Sequence, residues 1–467
     1  MRLKYLLICV SFCFAAKAQT FEVDTVMKNG PVSNRINLVF LGDGYTETEQ
    51  AKFITDVDGI LDEMFSQAPF VQYKNYFNAF AIRVISAESG ANHPQNSNDG
   101  DGACPAQSVK SVNNYFGSTF DYQGIHRLLY PPNISKIVNV LAANFPLYDQ
   151  AFIVVNSPYY GGAGGFVATC SGHSAGRDVA IHEIGHSFAG LADEYWAGAG
   201  YASEKPNMTK ETSPALVKWK NWMGTNGVGI YPHSVDASWK KPHTNCKMGI
   251  LNAALCSVCA ETFIERFHQL VTPVAGFSPV DRRFNIDPEL EQPLEFSLSL
   301  VPPDPNTLKI TWEIGNVLKS KNTEALTVLP GELAETATIR ATVRDTIALT
   351  RSDTHTASHT YVVEWDITKS NVVTGVHGEV KGRQYSLSIY PNPSDADITI
   401  SYTLPRAEVV TINLMDNSGR LVSTLVDGQQ REGTYHHSFT RQRIANGEYI
   451  LHVNFGKTLI PVKMILK

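Results

Sequence analysis

The 467-residue chain has no basic stripe, no low-complexity tract, no convincing internal repeat and no long apolar run. Each absence excludes something. A membrane-spanning helix needs about 20 consecutive apolar residues, and no segment of this chain supplies them, so no transmembrane helix is expected. The net charge of −6 is mild for this length and comes without a polybasic run. Nucleic acid and anionic membrane surfaces are therefore poor candidate partners. Cysteine is sparse too, seven in all.

What is present at the start is a tripartite export pattern. Arg2 and Lys4 give a charged beginning, Tyr5 to Phe14 an apolar run too short to span a bilayer, and Ala16-Lys17-Ala18 a small-residue cleavage signal. Cleavage is expected after Ala18. Cys13 does not read as a lipid-anchoring site, because bulky Phe12 precedes it. Removal of residues 1–18 leaves Cys104, Cys170, Cys246, Cys256 and Cys259. In an oxidising compartment disulfides are expected among these five, with one thiol left over. Cys256-Ser257-Val258-Cys259 is a single CxxC without a second pair, so a disulfide role is preferred to a zinc or redox role.

The length fits about three domains. Residues 19–275 mix helix and strand signals. Ile36 to Leu41, Phe80 to Ile85 and Ala151 to Val155 read as buried strands, and Thr46 with Glu49 as a capping box opening a helix. These alternations predict an α/β sandwich. From 276 to 370 the chain reads as a small all-β sandwich, with strands near 294–301, 308–314, 336–343 and 360–366. A polar linker over 371–384 leads to short strands separated by turns over 385–467.

Ile181-His182-Glu183-Ile184-Gly185-His186 is the most informative stretch. On a helix expected over 176–190, two histidines four residues apart share one face and can hold one metal ion, with Glu183 beside it as a base. A catalytic zinc site normally takes three protein ligands. Were the helix to continue, Asp193 would lie about 10 Å beyond His186. Gly190 can end the helix in a left-handed conformation and turn the chain back, making Asp193 the preferred third ligand. Metzincins use a similar device in HExxHxxGxxH. Here the glycine comes one place later and an aspartate replaces the third histidine, so Glu194 and Glu261 stay open as alternatives. Met248, in Cys246-Lys247-Met248-Gly249, suits an apolar floor under the histidines. Tyr195 is a candidate oxyanion partner, though an aromatic after a helix end is more often packing. His173 and His243 lack ligand spacing and read as structural. Gly161 to Gly165 is a loop whose adjoining strand edge could pair with an extended peptide.

HEIGHSFAGLADEYW, Asn37 to Tyr45, Tyr160-Gly161-Gly162 and the Cys246-Lys247-Met248 and Cys256 to Cys259 segments together resemble the IgA peptidase family of metallopeptidases over roughly residues 30–275. The resemblance implies a metzincin-like secreted zinc endopeptidase, with His182 and His186 as ligands and Glu183 as catalytic base. Tyr390-Pro391-Asn392-Pro393, Asp416 to Arg420, Asn446 to Tyr449 and Lys463 to Lys467 resemble a type IX secretion sorting domain. That resemblance implies contact with the secretion machinery and delivery to the cell surface or medium. The expected fold is thus an α/β metzincin-like zinc peptidase domain followed by two small all-β sandwiches. A monomer acting on a protein or peptide substrate is expected. A surface binding protein with a non-catalytic peptidase-like domain and a zinc amidase for cell-wall material are the competing readings.

Overall fold

The computed structural model describes residues 19–97, 107–195, 202–370, 385, 387–390, 392, 394, 397–416, 420–440, 444–456 and 458–466. The expected signal peptide, Cys104, the expected linker and residues 417–419 of the Asp416 to Arg420 segment lie outside them. The chain divides into two compact units. The first runs to Val280 and adds Glu295–Leu326 and Arg340–Val363; the second holds Asp281–Leu294, Thr327–Ile339 and Glu364–Lys467. Residues 276–370, read from sequence as one module, contribute to both.

The first unit is built on a six-stranded sheet of order β1-β3-β2-β4-β6-β5. Its strands are β1 (Val23–Met27), β2 (Ile36–Asp43), β3 (Phe77–Ile82), β4 (Gln150–Val155), β5 (Gly162–Ala163) and β6 (Ala168–Ser171). The four inner strands run parallel, while β1 and β5 run antiparallel at the two edges. Every residue of β2, β3 and β4 is buried, because both faces of the sheet are covered. Leu38 and Phe40 face a core shared with helices α1 (Gln50–Met64), α3 (Gly176–Ser187) and α4 (Ser257–Leu270). Val39 and Leu41 face the opposite core, which holds α2 (Ile134–Asn144). This is the expected α/β sandwich.

The capping signal at Thr46 operates as expected: the Glu49 carboxylate accepts from the Thr46 backbone N–H at 2.9 Å, and α1 follows. Strand β3 starts at Phe77, three residues before the expected Phe80. Buried Asn78 does not end the strand, since its side-chain oxygen accepts from the Asn29 N–H at 2.9 Å and its amide donates to Asn37.

In the second unit, Ile398–Leu404 and Glu408–Asp416 alternate buried and less buried residues, the period-2 pattern of half-buried strands. The first lies between Ser388–Tyr390 and Gly433–Phe439; the second pairs with Leu421–Gln430 and Gly447–Phe455, and the last of these with Thr458–Leu466. These strand pairings are antiparallel, and both sheets share one core. The molecule is thus mixed α/β with several sheets and few helices. Among the described residues no helix is long and apolar enough to cross a membrane.

Candidate metal centre

Helix α3 follows β6 directly and buries Val179, Ala180, Ile181 and Ile184 in the sheet-facing core. Asp178 in its first turn suits the positive end of the helix and pairs with buried Lys247. Regular helix stops at Ser187, three residues before the expected end. Gly190 sits at φ +66°, a left-handed conformation that costs a residue with a Cβ about 1–2 kcal/mol. The Gly190 N–H bonds to the His186 carbonyl, and the Leu191 N–H reaches back to that of Gly185. The chain turns over the helix end.

That turn brings Asp193 onto the two histidines. His182 Nε2 lies 3.2 Å from His186 Nε2, and Asp193 Oδ1 lies 3.0 Å from the first and 3.3 Å from the second. Three atoms each about 2.0–2.1 Å from one tetrahedral centre would be about 3.3 Å apart, so the triangle has the size a shared metal requires. Both Nδ1 atoms face backbone carbonyls, His182 toward Lys247 at 3.0 Å and His186 toward Leu191 at 2.8 Å. In the neutral rings these bonds place the proton on Nδ1 and leave the Nε2 lone pair for a ligand.

The electrostatics follow from burial and proximity. Burial disfavours charge on the imidazoles, but Asp193 and Glu183 outweigh it, raising His182 and lifting His186 to about 9. Burial would raise Asp193, yet its two histidine hydrogen bonds hold it well below the usual carboxylate range. Glu183 lies 4.0 Å from His186 Nε2, and burial pushes its carboxyl above the ordinary value against the pull of both imidazoles.

Beneath the helix, Met248 is fully buried, and a Cβ on Gly185 would come within 2.6 Å of its sulfur. Only glycine leaves room for that floor between the two histidines. Tyr195 is partly exposed; its ring centroid is 6.1 Å from that of His182, and the Arg127 guanidinium lies 5.8 Å from the Tyr195 ring.

The other carboxylates considered for the site point elsewhere. Glu261 accepts from Trp222 Nε1 at 2.9 Å and from the Ser352 N–H at 2.7 Å. Glu194 turns away from Asp193 toward Cys246, Cys256 and Cys259. His173 and His243 accept from the backbone N–H groups of Ala175 and Asn245, both local structural bonds. The glycine loop borders the centre, with Gly164 closely packed on Glu183 and His186. The strand edge at Gly162 is already paired, however. Its N–H donates to Arg127 and its carbonyl accepts from Leu129, so the expected peptide-pairing edge is closed there.

Sequence reasoning missed four further clusters among the described residues. His93 and His126 flank buried Asp121 at 3.3 and 2.7 Å, Glu265 meets His355 and His359, His268 gathers with Asp345 and His359, and Glu194 gathers three cysteines. The disulfides expected of those cysteines are absent among the described residues: Cys170, Cys246, Cys256 and Cys259 are all free thiols. The sulfurs of Cys246 and Cys259 are 3.6 Å apart, well beyond the roughly 2.05 Å of a disulfide.

Two histidines and an aspartate around one point make a candidate metal-binding site within a mixed α/β domain. Residues 25–236 match the family model of the IgA Peptidase M64 family, and residues 388–467 match the secretion system C-terminal sorting domain. Together these matches point to a peptidase that engages the type IX secretion system and is exported to the cell surface or secreted. No curated protein matches the sequence. Among solved structures, the fibronectin(III)-like modules of Clostridium thermocellum CbhA align at 13% identity, covering 41% of this chain and 92% of that one, with a TM-score of 0.16. Dimeric latent PorU from Porphyromonas gingivalis aligns at 16% identity, covering 40% and 19%, with a TM-score of 0.17. Scores of this size carry no argument about fold or function.

Proposed function

We propose that this chain is a secreted, metzincin-like zinc endopeptidase that cuts extracellular proteins, with host glycoproteins as candidate substrates. The observation that carries the reading is the triangle of His182 Nε2, His186 Nε2 and Asp193 Oδ1, with edges of 3.0–3.3 Å and Glu183 at its side. These three residues are the proposed zinc ligands. A zinc ion held there would supply Lewis acidity, bringing the pKa of water toward about 7 and polarising a carbonyl.

The chain's own groups do the rest. Glu183 takes the proton of the attacking water and delivers it to the leaving amine. The Lys247 and Leu191 carbonyls hold the imidazoles in register, and Met248 keeps their underside dry. The proposed organisation is a signal peptide cleaved after Ala18, a peptidase region to 275, a β-sandwich over 276–370, a linker over 371–384 and the sorting domain, acting as a monomer.

Glu183→Gln tests the mechanism. Zinc content and folding should match wild type, while cleavage of denatured casein should fall by about 10²–10⁴-fold, the usual contribution of a general base. A variant that cleaves at the wild-type rate would remove Glu183 from the chemistry.

A further inference from the structure

We propose a second, structural zinc site, formed by Cys246, Cys256, Cys259 and Glu194 and distinct from the histidine centre. The four residues are buried, and one donor atom from each lies within 4.8 Å of all the others. Tetrahedral zinc with sulfur bonds near 2.3 Å and an oxygen bond near 2.1 Å sets sulfurs about 3.8 Å apart and sulfur and oxygen about 3.6 Å apart. Cys246 Sγ to Cys259 Sγ is 3.6 Å, and Cys259 Sγ to Glu194 Oε1 is also 3.6 Å. This spacing fits a shared soft-ligand metal, and thiolates favour zinc over the hard cations.

The surroundings also suit the ion. Cys256 is the N-cap of α4 and Cys259 lies in its first turn, at the positive end of the helix dipole. The Cys256 N–H donates to Cys246 Sγ at 3.3 Å, a bond a thiolate receives well. Glu194 is 1% exposed; Oε1 accepts from Asn207 at 3.0 Å, but Oε2 has no hydrogen-bond partner. A buried carboxylate oxygen left unpartnered is costly, and a metal among the thiolates removes that cost. Binding would displace the thiol protons, so loading is pH-dependent.

This site also acts as a clamp beside the histidine centre. Its ligand Glu194 adjoins Asp193, and the Glu194 N–H donates to the Met248 carbonyl at 2.7 Å. Cys246 opens the turn that carries the Lys247 carbonyl facing His182 and the Met248 floor. The clamp thus anchors two positioning segments.

The test uses the full chain, purified from zinc-supplemented medium and then exchanged with cobalt. Wild type should hold two zinc ions per chain, and its cobalt form should show thiolate-to-cobalt charge-transfer absorption in the near ultraviolet. A centre of two imidazoles and a carboxylate gives no such band. Cys256→Ser should lose the band and one zinc. The double variant His182→Ala/His186→Ala should keep the band and one zinc, which separates this site from the proposed catalytic one. If Cys256→Ser does not fold, the wild-type spectrum and the histidine variant still decide. A wild-type protein without the band, whether its cysteines map as free thiols or as a disulfide, overturns the proposal.

Discussion

Asp193 and Glu194 are adjacent carboxylates with opposite fates. Asp193 is partly open to solvent and sits between two imidazoles, which hold it well below the usual range. Glu194 is closed off among thiols, and burial pushes its carboxyl well above that range. One peptide bond therefore divides a polar, partly open environment from a dry, closed one. A carboxylate's chemistry is set by what faces it, and a chain that reverses at Gly190 can present successive side chains to different neighbours.

The contrast is broken most directly by exchanging one carboxylate at a time. Asp193→Ala should lose zinc from the histidine centre and proteolysis with it, while the thiolate–cobalt band persists. Glu194→Gln should weaken metal binding at the cysteines and leave the histidine centre able to load. If both substitutions deplete the same zinc, the two environments are one site.

Gly185→Ala sharpens the comparison from below the helix. Its Cβ would meet the Met248 sulfur, so a loss of about 1–3 kcal/mol in unfolding free energy is expected, as for other overpacked cores. Denaturant titration measures it. A neutral Gly185→Ala would mean that the Met248 floor gives way freely.

The smallest expected effect is on pH. In metal-stripped protein, His186 titrates near 9, above its ordinary 6.5, so the folded state binds its proton more tightly than the unfolded chain. The stabilisation is complete below about pH 6.5 and fades as pH rises through about 9. Thermal unfolding of stripped wild type should decline across that window, and His186→Ala should flatten the decline. An unchanged slope in the variant would assign the effect elsewhere.

Much of the histidine centre was legible because local rules govern it. The i, i+4 spacing of His182 and His186 fixes their common face, and Gly190 marks the reversal that delivers Asp193. The buried runs of β2 and β4 were equally plain. The cysteine cluster was not, because its members come from residues 194, 246, 256 and 259, and no periodicity links a helix-end carboxylate to a distant turn. The CxxC alone gave too weak a signal. Asn78 hid the start of β3 because its compensating partner, Asn29, lies on another segment. Pairing of Gly162 with Arg127 and Leu129 is likewise a tertiary event.

The contact between Glu194 and Cys259 joins residues 65 positions apart. A metal spanning it would act on the unfolded chain as a cross-link does, removing loop-closure entropy worth about 4 kcal/mol for a loop of that size. Glu194 and Cys259 would then separate only when the clasp is released. Limited proteolysis within that stretch should accelerate when a chelator is present, at temperatures where the sheet itself remains intact.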